Sequence, residues 1–171
     1  MSDKFAGVVD FMLRTPAVTH VRGRVIDVVE AHNEIVAKLG KVALGKFGHS
    51  GSKTRADRLQ KQIEDGYETR LLLVSKVMGN FCGFKAPLSA ISFGRPTSDM
   101  VDFTPPYYRE LDEQPLLWFI ASGPFVETSL SRLHLATNDR PLLNVLGQCR
   151  TSTMLIYERP PRAVQTPPRI S

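Results

Sequence analysis

Two apolar runs on either side of a glycine turn constrain this chain most. Residues 69–76, "TRLLLVSK", and 80–86, "NFCGFKA", are joined at Gly79-Asn80. Runs of this length around so short a turn read as a tight β-hairpin. The hairpin commits the chain to a sheet. Its aromatic–glycine half has a structural reading: Gly83 lets the strand curve, and Phe81 and Phe84 fill the interior behind it.

The flanking segments alternate between helix and strand signals. Residues 4–14, "KFAGVVDFMLR", place Phe5, Val8, Val9, Met12 and Leu13 at helical spacing before Thr15-Pro16 stops the run. "GRVIDVV" (23–29) is β-branched and strand-like, and "EAHNEIVAKLG" continues as a helix capped by Gly40. "KVALGKFG" (41–48) reads as a short strand. "KTRADRLQKQIEDG" (53–66) reads as an amphipathic helix with Ser52 as its cap, Leu59, Gln62 and Ile63 on one face and a basic face opposite.

Residues 92–114 are rich in Pro, Gly, Asp and Ser with interspersed aromatics, a composition typical of a functional loop. Strands are then expected over 115–125, around Leu133 and over 151–158, with a short helix from Pro141. About six or seven short strands, largely hairpin-linked, predict an α+β fold: a curved antiparallel sheet closing toward a barrel, with flanking helices. The expected organisation is an N-terminal helical extension (1–22), one domain (23–158) and a proline-rich basic tail (159–171) that reads as a linker.

The 171 residues suffice for one core. No apolar run reaches the roughly 20 residues of a membrane helix and no cleavable signal pattern opens the chain, so a cytoplasmic protein without a membrane partner is expected. Cys82 and Cys149 are isolated and the four histidines lack ligand spacing, so no metal or other cofactor is expected. Phosphate-loop, dinucleotide, nucleophile-elbow and zinc-protease motifs are all missing. The net charge of +5 fits a polyanion partner such as nucleic acid.

The aromatics then carry the chemistry. Trp118 lies in a strand and reads as core. Phe47 sits at a glycine-flanked strand end, and Tyr107-Tyr108 follow Pro105-Pro106 in the long loop, positions that present rings to a planar ligand. "VSKVMGNFCGFKAPLSAI" resembles the strand–turn–strand of YTH domains, whose Gly-x-Phe-Cys-Gly hairpin it carries. "LLWFIASGPFVETSLSRLHLATNDRP" is similar to that family's Trp strand and Asn-x-(Lys/Arg)-Pro segment. "RVIDVVEAHNEIVAKLGKVALGKF" and "SKTRADRL" are similar to its first strand–helix–strand and the next helix opening, so the likeness spans about residues 24–158.

The resemblance implies the PUA-like β-barrel shared with EVE domains, and non-enzymatic recognition of a modified base held in an aromatic cage. It matches Phe47 and Tyr107 or Tyr108 to cage rings and Asp57 to the carboxylate that bonds the base edge. Lys46 and Ser50, on either side of Phe47, complete the base-binding set. Lys53, Arg55, Arg58, Lys61, Arg95 and Arg109 supply backbone contacts. The family's cage is mostly tryptophan. With the single Trp in the core, a Phe/Tyr cage suits modified cytosine as readily as methyladenine, in DNA or RNA, inserted or flipped from the strand. Bacterial relatives imply a specificity module beside a nuclease or helicase. Two alternatives stay open: a small-molecule, nucleoside-binding or adaptor domain, and a hydrolase using Asp57 with His49.

Overall fold

A central strand sits where the sequence reads as helix. In the computed structural model, which describes residues 5–47 and 53–159, β1 (Asp10–Arg14) lies inside the sheet. Phe11, Met12 and Leu13 are all buried because the sheet is covered on both faces. A short strand buried on both sides is apolar throughout, and such a run satisfies helical spacing equally well.

The remaining elements follow in chain order. They are β2 (Val18–Val21), β3 (Arg24–Asp27), α1 (Val28–Leu39), β4 (Val42–Lys46), α2 (Lys53–Glu64), β5 (Arg70–Val77) and β6 (Asn80–Phe93). After them come α3 (Ser98–Asp102), a 3-10 helix (Pro106–Glu110), β7 (Leu117–Ala121), β8 (Val126–Thr128), β9 (Leu133–Leu135), α4 (Leu142–Leu146) and β10 (Thr153–Glu158).

Eight strands form one mixed sheet in the order β4-β7-β6-β5-β1-β10-β9, with β8 added to β6, while β2 and β3 form a separate hairpin. β1 runs parallel to β5 and antiparallel to β10. The expected α+β, PUA-like closed barrel is therefore corrected. β4 and β9 end the sheet without pairing with each other, so it stays open. The physical reason is β1. Inserted between β5 and β10, it widens the sheet and carries β9 away from β4.

The hairpin is present, but its turn lies one residue earlier than expected. Val77 pairs with Asn80, and Met78 and Gly79 occupy the two turn positions with φ of 51° and 83°. Positive φ at both central residues is the twist a two-residue hairpin favours. β6 then serves two neighbours in succession: Asn80–Pro87 pair with β5, and Leu88–Phe93 with β7, with a register shift between Leu88 and Ala90. Gly83 closes no barrel. A Cβ there would lie 2.4 Å from Leu130 Cδ2, so the glycine admits Leu130 against the sheet.

One sheet face packs Phe11, Leu13, Leu71, Leu73 and Phe119 against α1 and α2; the other packs Met12, Leu72 and Ile156 against α4. α1 buries Val28, His32 and Val36, starts on Asp27, whose carboxylate accepts the Glu30 N–H at 2.9 Å, and ends on Gly40 at φ 77°. Asp27→Ala removes that acceptor and is expected to cost about 1 kcal/mol in denaturant unfolding, with the fold retained.

α2 is fastened by Gln62. Its Oε1 accepts the Val9 N–H at 2.9 Å and its Nε2 donates to Val9 O at 2.8 Å, standing in for a strand neighbour just before β1. The segment expected as an open loop over 92–114 is largely folded. With α3 and the 3-10 helix it buries Met100, Phe103, Tyr107 and Tyr108 against Trp118 and Ala43, covering the outer face of β4 and β7. Trp118 is buried in the core, and its Nε1–H donates to Pro115 O at 3.2 Å. No described helix is long and apolar enough to cross a membrane.

Candidate functional site

β1 runs parallel to β5 and ends at Arg14, which lies beside Val74 in the middle of β5. A cavity of about 420 Å³ opens at this end, bounded by Leu13–Pro16, the end of β4 and the 3-10 helix. Four residues singled out from sequence line it together: Lys46, Phe47, Tyr107 and Tyr108.

The rings are arranged in a row. Phe47 and Tyr108 stand nearly parallel, 10° apart in plane, with centroids separated by 6.4 Å. Tyr107 stacks directly on Tyr108 at 4.6 Å. The 6.4 Å spacing is wider than direct stacking. Phe47 is 42% exposed, whereas both tyrosines are buried. The expectation that the tyrosines are presented to solvent is thus corrected. Their neighbours α3 and Trp118 enclose them, and they reach the ligand space only through the cavity.

Tyr108 is fixed by hydrogen bonds. Its hydroxyl accepts the Gly45 N–H at 3.2 Å and donates to His32 Nε2 at 3.1 Å, and His32 Nδ1–H donates to Val28 O at 2.7 Å. Burial holds His32 neutral, with its pKa lowered to about 4. Burial also pushes the Tyr108 hydroxyl well above its ordinary range, so the ring stays neutral. These contacts set the ring plane before any ligand arrives.

Gly45 makes the arrangement possible. A Cβ there would lie 2.3 Å from Pro115 Cγ and 3.1 Å from the Trp118 ring, in a buried strand. Gly45→Ala is expected to destabilise the fold by about 2 kcal/mol, read from the urea midpoint, and to displace Pro115 behind the cavity.

Lys46 is buried, its Nζ donates to Phe47 O at 3.1 Å, and burial followed by the nearby Arg55 charge lowers its pKa. Arg14, Thr15, Thr19 and Ser152 add donors, and Asp112 and Glu113 place carboxylates on the wall. The cavity therefore combines aromatic rings with hydrogen-bonding groups of both kinds. Among the described residues no group of three or more His, Cys, Asp or Glu gathers to hold a metal.

The other expected residues lie elsewhere. Asp57 is exposed on α2 and does not line the cavity, and Ser50 lies outside the described residues, as does His49. Arg58 is committed to structure, donating to Phe5 O and Gly7 O at 2.8 and 3.1 Å. Arg55 donates to Thr153 Oγ1 at 3.1 Å, which keeps its charge near Lys46. Lys53, Lys61, Arg95 and Arg109 are exposed, and none lines this cavity.

No family model, curated protein or solved structure matches this chain. The site must therefore be read from its own geometry.

Sequence reasoning missed Arg14, Thr15, Asp112, Glu113 and Ser152. Arg14 and Ser152 meet only because β1 pairs with β5 and β10, a long-range event with no local signal. His32 carried one, as a lone histidine on the apolar stripe of α1.

Proposed function

We propose that the chain binds a nucleobase in the slot between Phe47 and Tyr108 and reads it without chemistry, as part of a nucleic acid. The near-parallel ring pair at 6.4 Å carries this reading. Every base has a π-face, and stacking on one ring contributes roughly 1–3 kcal/mol. Lys46 and Arg14 give donors for ring nitrogens or carbonyls, while Asp112 and Glu113 give acceptors for an exocyclic amino group. A base modified on that amino group, or a modified cytosine, would be discriminated at this edge. The chain's +5 charge favours a polyanionic strand as the carrier.

The carboxylates on the wall favour a second reading, a free nucleoside or similar planar small molecule, because they repel phosphate. Matched single- and double-stranded oligonucleotides of DNA and RNA separate the two. Each is tested unmodified and with N6-methyladenine, 5-methylcytosine or 5-hydroxymethylcytosine, beside the free nucleosides. Oligonucleotide binding that weakens with salt and prefers one modified base supports the reader. Salt-insensitive binding of nucleosides alone supports the small-molecule reading and contradicts the first.

A further inference from the structure

Behind the base slot lies a second, larger cleft. It encloses about 550 Å³ and adjoins the slot, with which it shares Arg14, Thr15 and Pro16. Its charged lining is Arg14, Lys76 and Arg150, and no Asp or Glu lines it. Neither Lys76 nor Arg150 forms an ion pair among the described residues. Arg14 Nη2 donates to Leu146 O at 2.6 Å, while its Nε–H is buried without a hydrogen-bond partner. Arg14 and Lys76 both lie over the Phe81 ring, at 5.7 and 5.5 Å from its centroid. Two like charges thus lie over one aromatic face, Arg150 lines the same cleft, and no carboxylate is in its lining.

We infer that this cleft is a phosphate site: it holds the phosphate of the nucleotide next to the one whose base enters the slot, with Phe81 beneath the adjoining sugar or base. Convergent cations without carboxylates favour an anion, and Arg and Lys bond phosphate oxygens directly. The volume exceeds what a bare anion fills, and the Phe81 ring supplies the apolar floor a nucleotide needs. The position of this site beside a bound base rests on the reading above; the anion site itself does not.

Cys149 makes the cleft testable. It lines the same space and is partly exposed. The Thr151 backbone N–H, then the Thr151 side chain, Arg14 and Arg140 hold its thiol below the ordinary range despite some opposing desolvation. An anion in the cleft blocks access and disfavours the thiolate, and so slows alkylation.

The experiment follows iodoacetamide labelling of Cys149 in the full chain at constant ionic strength, with peptide mass spectrometry separating it from Cys82. The probes are pyrophosphate, a single-stranded oligothymidylate and thymidine. The two phosphate-bearing probes are expected to protect Cys149, and thymidine is not. Protection by oligothymidylate at much lower concentration than pyrophosphate identifies a strand backbone as the source; equal potency identifies free phosphate. Lys76→Gln and Arg150→Gln, both at exposed positions, are each expected to raise the half-protecting concentration about three- to tenfold.

Labelling as fast with both phosphate probes as with thymidine, or protection indifferent to both substitutions, would overturn the proposal. Calorimetric titration with nucleosides keeps the two readings apart. Nucleoside binding in a chain whose Cys149 neither pyrophosphate nor oligothymidylate protects removes the phosphate site and leaves the base slot. Protection by pyrophosphate in a chain that binds no nucleobase leaves the anion site and removes the slot.

Discussion

Phe47→Ala is expected to weaken binding of the preferred oligonucleotide roughly 5- to 150-fold, the ~1–3 kcal/mol of one stacked base. The effect falls on binding because the ring is 42% exposed at the end of β4, so its removal opens no core cavity. The melting temperature should stay close to that of the parent chain. Phe47→Trp, which keeps and enlarges the π-face, should recover most of the affinity. Fluorescence anisotropy with a labelled strand reads both affinities, and thermal unfolding followed by circular dichroism reads the stability. Unchanged affinity in the alanine variant would mean that the ring row is packing alone.

A larger effect on stability belongs to His32. In the folded chain burial keeps it neutral down to about pH 4, whereas an unfolded histidine protonates near 6.5. Below 6.5 the unfolded state gains a proton that the folded state refuses. The stability present above 6.5 is therefore lost as pH falls toward 4, by about 3 kcal/mol at ~1.4 kcal/mol per pH unit. Protonation would also require Nε2 to donate, reversing its bond with the Tyr108 hydroxyl. Asp10 acts in the opposite direction, because burial raises its carboxyl pKa against the pull of the Arg70 N–H. Comparison with His32→Gln isolates the histidine. Urea midpoints between pH 4.5 and 7 should fall steeply for the parent and more shallowly for the variant. Equal slopes would contradict the assignment.

Elements with local signals were legible in the sequence. Gly40 marks the end of α1, the one-faced spacing of Leu59, Gln62 and Ile63 marks α2, and the glycine turn marks the β5–β6 hairpin. What failed was decided by distant partners. β1 has no alternation because both of its faces are covered, and its parallel pairing with β5 crosses some sixty residues. That one strand turned an expected closed barrel into an open sheet. β2 was missed for a related reason: its partner β3 follows after Arg22-Gly23, a turn with φ of 48° and 79° whose first residue is not glycine.

The site divided in the same way. Phe47 and Tyr107-Tyr108 were flagged by the glycines and prolines beside them, and the fold brings them to one cavity. Asp57 was matched by resemblance alone and faces solvent. Arg14, which lines both cavities, lies in a segment whose spacing reads as helix. Long-range strand pairing is invisible to local pattern, and here it brings Arg14 and Ser152 to the cavity wall.

The most direct measurement of the central claim is the NMR response of the Phe47 and Tyr108 ring protons as an oligonucleotide carrying the preferred base is added. A base held between the two rings shifts both sets upfield together, through its ring current, with one saturation curve. Shifts confined to the amides of Lys53, Lys61, Arg95 and Arg109, with both rings unmoved, would show a basic surface binding a strand and no base in the slot.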